Sequence, residues 1–248
     1  MTESQTAVRP ERRAELAAGL ARVRARIADA CAAAGRQRDE VTLVAVTKTY
    51  PAADVVALAG LGVTDVGENR DQEAAPKAET VAAAGVAPRW HFIGQLQRNK
   101  ARSVVRYADV VQSVDSVRLA AALDAAAGAL RDRPLDVLVQ VSIDGDAARG
   151  GALPGAADPQ RGLGPVAAAV AGADGLRLAG LMAVAPLGWE PDRAFARLAE
   201  VAAALRADHP GATALSAGMS GDLESAIGYG ATHVRVGSAL LGMRPALR

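Results

Sequence analysis

The sequence has few of the residues that disulfide scaffolds and metal sites require. Its 248 residues include one cysteine, Cys31, and three histidines that lie far apart in the chain. A single cysteine excludes an internal disulfide and a cysteine-rich metal site, and the histidine spacing matches no metal-ligand pattern. We therefore expect no metal centre. Stability must come from a hydrophobic core, for which a chain of this length is sufficient.

The chain also lacks the usual features of nucleic-acid-binding and membrane proteins. Lys and Arg total 28 against 27 Asp and Glu, which gives a net charge of +1, and aromatic residues make up 3%. This balance argues against nucleic-acid binding by bulk charge, and the scarcity of aromatics argues against base-stacking platforms. No apolar run approaches the ~18 residues of a membrane span, and the polar N-terminus has no signal-peptide core. The sequence therefore predicts a cytoplasmic protein with no nucleic-acid or membrane partner.

The sequence does contain a regular alternation of short apolar strands and alanine-rich helices. After a tail at residues 1–8 that we expect to be disordered, apolar residues at three- and four-residue steps predict a long helix at 9–36. Eight candidate strands follow, at 41–46, 64–67, 90–94, 109–113, 135–141, 177–184, 213–216 and 232–236. Such alternation implies a parallel sheet, and eight units in about 250 residues is the count of a (β/α)8 TIM barrel. An open doubly wound sheet is the alternative, but no G-x-G-x-x-G motif follows the first strand.

One segment interrupts this alternation. Residues 144–165 are rich in Gly, Pro and Ala, which favours a mobile loop over the barrel mouth rather than a linker between domains. We therefore expect residues 1–248 to form a single α/β domain, with an extra N-terminal helix.

Functional residues of a (β/α)8 barrel lie at the carboxyl ends of its strands. Lys48 follows the first strand and either reaches solvent or lies in the barrel mouth, where partial desolvation would suit its amine to a Schiff base. Asn69 follows the second strand, where it can cap the next helix, face a ligand with its amide, or do both. His91 lies within the third strand, a position more typical of a core histidine. After it, the polar residues from Gln95 to Lys100 form either a solvated charged face or part of a site.

The last two strands end in turns of small residues. The seventh is followed by the run from Ser216 through Met219 and Ser220, and the eighth by Gly237-Ser238. Backbone N–H groups approach an anion closely at such turns, and barrels often bind phosphate here. Either turn alone is adequately explained as structural, but the two together favour a phosphate site.

Arg235 alternates with two valines of the eighth strand, which predicts that it points into the barrel mouth. The first and eighth strands are neighbours in a closed barrel. Lys48, Arg235 and the two turns therefore describe a site for a phosphorylated aldehyde. A barrel that binds sugar phosphates would explain the turns but not Lys48 or Arg235.

Six segments between residues 10 and 244 resemble, in order, motifs of the YggS/PROSC family of pyridoxal phosphate homeostasis proteins: VAVTKTYP, VGENRDQE, WHFIGQLQRNK, LAGLMAV, LSAGMSGDLESAI and THVRVGSALLG. The resemblance implies a barrel similar to the N-terminal domain of alanine racemase, carrying pyridoxal 5'-phosphate (PLP) as a Schiff base on Lys48. It implies that Arg235 faces the pyridine nitrogen. The phosphate would be held by Ser220, by the Gly237-Ser238 turn and by the backbone at Met219. Asn69, His91 and Ser216 also lie in matching motifs. Departures from the family pattern occur at Arg70, Arg149 and Gly221.

An arginine beside the pyridine nitrogen cannot stabilise a protonated ring, so the ring becomes a poorer electron sink. Together with the resemblance, this predicts a PLP-binding protein of vitamin B6 homeostasis, without strong catalysis of its own. We expect a monomer whose partners are PLP and PLP-requiring apoenzymes. The alternative is a fold-type III PLP enzyme, such as an amino-acid racemase or lyase. That alternative needs a second proton-transfer group, for which His91 and Tyr50 are the candidates.

Overall fold

The structure, a computed structural model, describes residues 8–242, so residues 1–7 of the predicted tail lie outside it. Eight parallel strands close into a barrel in chain order, and the first pairs with the last. The strands are β1 Thr42–Val46, β2 Asp65–Glu68, β3 Arg89–Phe92, β4 Val110–Val114, β5 Leu135–Gln140, β6 Leu176–Met182, β7 Ala214–Ser216 and β8 His233–Val236. The predicted barrel and its eight strands are confirmed.

Helices surround the barrel on its outer face. They are α1 Pro10–Ala33, α2 Ala52–Gly60, α3 Asp71–Ala83, α4 Ala101–Tyr107, α5 Val117–Leu130, α6 Leu163–Ala171, α7 Pro191–Asp208, α8 Leu223–Gly228 and α9 Ser238–Leu241. None of the helices within residues 8–242 is long and apolar enough to cross a membrane. The longest, α1, ends three residues earlier than predicted, just before Gly35, whose φ of 66° leaves the helical region.

The long helix α1 packs against the outside of the barrel beside β8. Its apolar stripe, which includes Leu16 and Ile27, packs with Val234 and Val236 in one buried cluster. Gly19 lets α1 also pack closely against α9, because a Cβ there would lie 2.1 Å from the carbonyl oxygen of Leu240. The two valines of β8 therefore face outward, as predicted from their alternation, and the residue between them faces inward.

The segment at 144–165 is more ordered than the sequence predicts. Val141 pairs with Ala152 and Leu153 pairs with Gly162 in short parallel bridges, and the N–H of Ala152 donates to the carbonyl of Gln140 at 2.7 Å. Ala152 itself is fully buried. The expectation of a mobile loop is therefore corrected: the segment is a structured extension that is hydrogen-bonded to the end of β5.

Candidate binding site at the barrel mouth

A cavity of about 590 Å³ opens at the carboxyl ends of the strands, beside β1, β7 and β8. Its lining includes seven of the eight residues that the sequence predicts to form the binding site: Lys48, Asn69, Met219, Ser220, Arg235, Gly237 and Ser238. The eighth, Ser216, is fully buried and contacts the cavity only through Arg235. The lining is completed by mainly apolar residues, among them Val46, Ile93, Met182 and Val184. The fold thus assembles residues from distant parts of the chain into one pocket.

Lys48 is half-buried and lies two residues beyond the end of β1. Its amine makes no hydrogen bond or ion pair with any residue between 8 and 242. The next residue, Thr49, has a φ of 67°, in the left-handed region that a β-branched residue rarely adopts. The chain therefore turns sharply after the lysine, at a cost of about 1–2 kcal/mol.

A buried ion pair lies directly behind this turn. Lys77 Nζ, from α3, is 2.6 Å from Glu68 Oε1 and also donates to the carbonyl of Thr47 at 2.8 Å. The Thr47 hydroxyl donates to the same carboxylate oxygen at 2.7 Å. Burial raises the pKa of Glu68, although Lys77 opposes this, and Glu68 Oε2 has no hydrogen-bond partner. The residue preceding Lys48 is thus fixed through both its side chain and its carbonyl.

Arg235 lies at the base of the pocket and is 4% exposed. Its Nη1 donates to Ser216 Oγ at 2.7 Å, and its Nη2 donates to the carbonyl of Ala183 at 2.8 Å. Burial lowers the pKa of Arg235 to about 10. The guanidinium therefore stays charged at neutral pH, and two of its donors are committed to the barrel interior.

A chain of hydrogen bonds continues from Ser216 through the inside of the barrel. Ser216 Oγ donates to Gln112 Oε1 at 2.7 Å, and Gln112 Nε2 is 2.8 Å from His91 Nδ1. His91 Nε2 lies 2.8 Å from Asp65 Oδ1. Because a guanidinium only donates and a carboxylate only accepts, each bond has one direction, and the Nε2–H form of His91 is fixed.

This chain of hydrogen bonds affects the pKa of Asp65. Burial alone would raise the pKa of Asp65, but hydrogen bonds from His91 and Thr64 outweigh burial and lower it below its usual value.

His91 is 1% exposed and does not line the pocket. Of the two proton-transfer candidates only Tyr50 reaches the pocket, and its hydroxyl donates to the carbonyl of Gly242 at 2.7 Å.

The turns after β7 and β8 meet at one end of the pocket. The hydroxyl groups of Ser220 and Ser238 are 3.4 Å apart. The N–H of Met219 donates to Asp222 Oδ1 at 2.6 Å, so it is already engaged. In contrast, the N–H groups of Gly221 and Ser238 find no acceptor within the described part of the chain. Two hydroxyls and these N–H groups are therefore available to an anion.

An arginine that the sequence did not single out supports the first of these turns. Arg26 of α1 donates to the carbonyl of Ser220 at 3.0 Å and forms an ion pair with Glu224 at 2.6 Å. Neither Arg26 nor Glu224 lines the pocket. The long N-terminal helix therefore contributes to the site indirectly, by holding the turn that carries Ser220.

Asn69 also lines the pocket and does not cap the following helix. The N-cap of α3 is Arg70, which makes no side-chain capping bond. A Cβ at Gly94 would lie 2.1 Å from the carbonyl oxygen of Asn69. The glycine of the HFIG sequence therefore lets the loop after β3 pack directly on the loop that carries Asn69. Of the two interpretations, the structure favours an amide that faces the pocket.

The fold and the site together define a barrel of the alanine racemase N-terminal type. The family model described as "Alanine racemase, N-terminal domain" matches residues 19–245. The alanine racemase of Corynebacterium glutamicum shares the fold, with a TM-score of 0.64 at 15% identity, over 95% of this chain and 63% of that chain. These matches confirm the predicted fold class.

Closer similarities identify the family. The chain is 46% identical over 247 residues to the pyridoxal phosphate homeostasis protein of Mycobacterium leprae, with 94% of each chain covered. PipY of Synechococcus elongatus, solved with PLP bound, has a TM-score of 0.74 at 33% identity, over 92% of this chain and 100% of that chain. The chain belongs to the family of pyridoxal phosphate homeostasis proteins, which confirms the resemblance seen in the sequence.

Proposed function

We propose that this protein binds PLP at the barrel mouth, covalently through the amine of Lys48, and acts in PLP and vitamin B6 homeostasis. The observation that carries the proposal is one pocket that holds an unpaired lysine, a buried arginine and free anion donors. A volume of about 590 Å³ falls in the usual range for small-ligand pockets. The structure of PipY with PLP bound, at 33% identity, supports the same ligand.

The donor set fits the chemical groups of PLP. The hydroxyls of Ser220 and Ser238, with the free N–H groups of Gly221 and Ser238, suit the phosphate. Apolar side chains such as Val46 and Ile93 suit the faces of the ring. When bound, PLP supplies an electrophilic carbonyl that reacts with amines and a ring that withdraws electrons. Lys48 is the amine that this proposal assigns to the carbonyl.

Arg235 is the residue that we assign to the pyridine nitrogen. A guanidinium can donate a hydrogen bond to that nitrogen but cannot accept a proton from it. The ring would therefore stay unprotonated and withdraw electrons weakly, which favours binding over catalysis. His91 is not placed to supply a second proton-transfer group, because both of its nitrogens are engaged inside the barrel and it does not line the pocket.

The test uses the fact that the chain has three lysines, Lys48, Lys77 and Lys100. The full-length protein is loaded with PLP, its absorption spectrum is recorded, and it is then reduced with borohydride and mapped by mass spectrometry. We expect a visible absorption band and a pyridoxyl adduct on Lys48. Lys48→Ala should abolish both and leave the fold intact, whereas the matched control Lys100→Ala should keep both. An adduct on Lys100, or no adduct at all, would refute the proposal.

A second measurement separates a homeostasis protein from an enzyme of the same fold. Loaded protein is incubated with amino acids and assayed for racemisation and for lyase products. We expect only slow background reaction, unchanged in Tyr50→Phe. Efficient turnover that Tyr50→Phe abolishes, with PLP still bound, would identify an enzyme instead.

We also propose that all 248 residues form one PLP-binding domain that acts as a monomer in the cytoplasm and supplies PLP-requiring apoenzymes. The single cysteine, buried and unpaired, suits a reducing compartment. Sedimentation of the loaded protein tests the monomer. Activation of a PLP-requiring apoenzyme by loaded protein, compared with an equal concentration of free PLP, tests the transfer.

A further inference from the structure

A second cavity, of about 920 Å³, lies on the same face of the barrel and shares no lining residue with the first. The loop after β3, the start of α5 and the loop before α6 form its walls. Its lining residues are Gln95, Leu96, Gln97, Arg98, Asn99, Asp115, Ser116, Arg118, Leu119, Gln160 and Arg161. We call it the arginine pocket. Part of it comes from the QLQRN sequence, which the proposed PLP site does not use.

The charge of the arginine pocket is unbalanced. The lining includes the guanidinium groups of Arg98, Arg118 and Arg161 and one carboxylate, that of Asp115. Arg161 is engaged within the protein, because its Nη2 donates to the carbonyl of Gly151 at 3.1 Å and it lies near Asp158, so the excess positive charge comes from Arg98 and Arg118. Within residues 8–242, the side chains of Arg98 and Arg118 make no hydrogen bond or ion pair, unlike Arg26, which contacts Glu224. A guanidinium presents five donors in a planar fork that matches the oxygens of a phosphate or a carboxylate. The pocket therefore presents donors and positive charge that suit an oxyanion.

The walls of the pocket are fixed by apolar anchors and backbone hydrogen bonds. Leu96 and Leu119 are 6% and 2% exposed and hold the loop after β3 and the first turns of α5 in the core. The N–H of Val117 donates to the carbonyl of Gln160 at 3.0 Å, which joins α5 to the loop before α6. Asp158 Oδ1 accepts from the N–H of Gln160 at 2.7 Å. A ligand would therefore meet walls that are already ordered.

One lining group still needs a hydrogen-bond donor. Gln160 Oε1 is buried and has no hydrogen-bond partner. An unpaired buried acceptor is unfavourable, and a ligand that donates to it would remove this penalty. Since the arginines supply only donors, a complementary ligand must carry acceptor oxygens for them and a hydroxyl group for Gln160.

We propose that the arginine pocket is a second ligand site, for a small phosphate ester or carboxylate that also carries a hydroxyl group. The site lies beside the proposed PLP pocket and depends on none of its residues. The two ligand classes share oxyanion chemistry, and the binding experiment distinguishes them.

The test is a titration of the isotopically labelled full-length chain, with and without PLP, followed by amide chemical shifts. Glycerol 3-phosphate and citrate are the phosphate and carboxylate probes, and sodium chloride controls for ionic strength. We expect saturable shifts in the residues of the arginine pocket with at least one of the two probes. Combining Arg98→Ala with Arg118→Ala should weaken binding at least about tenfold. Combining Arg102→Ala with Arg106→Ala, which removes two exposed arginines of α4 outside the pocket, should leave binding unchanged.

Gln160→Leu provides a second, independent variant. It should weaken the binding of glycerol 3-phosphate. The binding of methyl phosphate should be unaffected, because methyl phosphate has no hydroxyl group to donate to Gln160. Shifts that do not saturate, or that disappear equally in both double variants, would mean non-specific ion binding and would overturn the proposal. Shifts confined to the pocket around Lys48 would also overturn it. Because the two pockets share no lining residue, none of these results bears on the adduct at Lys48.

Discussion

Replacement of Lys77 by methionine tests how the residue before Lys48 is held. The change keeps most of the buried aliphatic chain and removes only the ammonium group. That group contacts Glu68 Oε1 at 2.6 Å and the Thr47 carbonyl at 2.8 Å. After its removal, Glu68 keeps one donor, the hydroxyl of Thr47, and remains fully buried. The variant therefore leaves a buried carboxylate without its counter-ion.

The expected loss of stability follows from that isolation. Breaking a buried ion pair by removing one partner costs about 3–5 kcal/mol, because the remaining charge is uncompensated. Glu68 can avoid part of this cost by taking up a proton. Burial already raises its pKa and Lys77 opposes that rise, so the pKa should rise further in the variant. With Glu68 protonated, the remaining loss should approach the about 1–3 kcal/mol of an unsatisfied buried hydrogen-bonding group.

The sign of the pH dependence is fixed by these shifts. A carboxyl whose folded pKa exceeds its unfolded value holds its proton longer in the folded state as pH rises. Stability therefore falls as pH rises from the unfolded value, about 4.3, through the folded pKa. Urea denaturation followed by circular dichroism at about pH 5 and about pH 8 should show the larger loss for Lys77→Met at the higher pH.

A double variant makes the test specific to the ion pair. Adding Glu68→Gln to Lys77→Met removes the isolated charge, so most of the stability should return and its pH dependence in this range should disappear. A loss below about 1 kcal/mol for Lys77→Met at both pH values, or a double variant no more stable than the single one, would refute this role of the ion pair.

Three further predictions concern other parts of the barrel. Thr49→Asn should raise the unfolding free energy by about 1 kcal/mol, because asparagine tolerates the left-handed conformation; a loss in urea denaturation would contradict this. Ser238→Ala should weaken PLP binding about tenfold in a fluorescence titration, because it removes one hydrogen bond to a charged group. Complete loss of binding would show that the phosphate is held differently. Burial, with nearby positive charge, lowers the pKa of His233 from 6.5 to about 4 in the folded protein. As the pH falls, His233 therefore takes up a proton in the unfolded chain before it does so in the folded protein. The protein should therefore lose about 3 kcal/mol as pH falls between these values, and denaturation of His233→Gln should show a markedly smaller loss.

The barrel and most of the pocket follow from local sequence patterns. A continuous apolar strand that ends in Lys48, and valines that flank Arg235, indicate which residues reach the mouth. The supporting contacts have no such local signal. Ser216 contacts Gln112 across 104 residues, and Arg26 contacts the Ser220 carbonyl across 194. These contacts arise only when the barrel closes, so no periodicity in the sequence could indicate them.

One wrong prediction and one residue that the sequence analysis missed have the same physical cause, which is contact between distant parts of the chain. The loop at 144–165 has the composition of a mobile segment, yet its backbone is hydrogen-bonded to the end of β5. Its Gly and Pro content gives no indication of these hydrogen bonds. Lys77 lies in an alanine-rich helix and gives no sign in the sequence that it is buried. Its pairing with Glu68 depends on the packing of α3 against β2, and only that packing turns an ordinary lysine into a support for the pocket.

The direction of hydrogen bonding inside the barrel links these contacts to the proposed function. Asp65 accepts from His91, His91 accepts from Gln112, Gln112 accepts from Ser216, and Ser216 accepts from Arg235. Every step points away from the pocket, so a proton cannot pass along this chain toward a ligand without reversing each bond. The chain instead fixes the guanidinium as a donor at the base of the pocket. Under the proposed function, one unpaired amine and one fixed donor at the base of the pocket suit the holding of a reactive aldehyde.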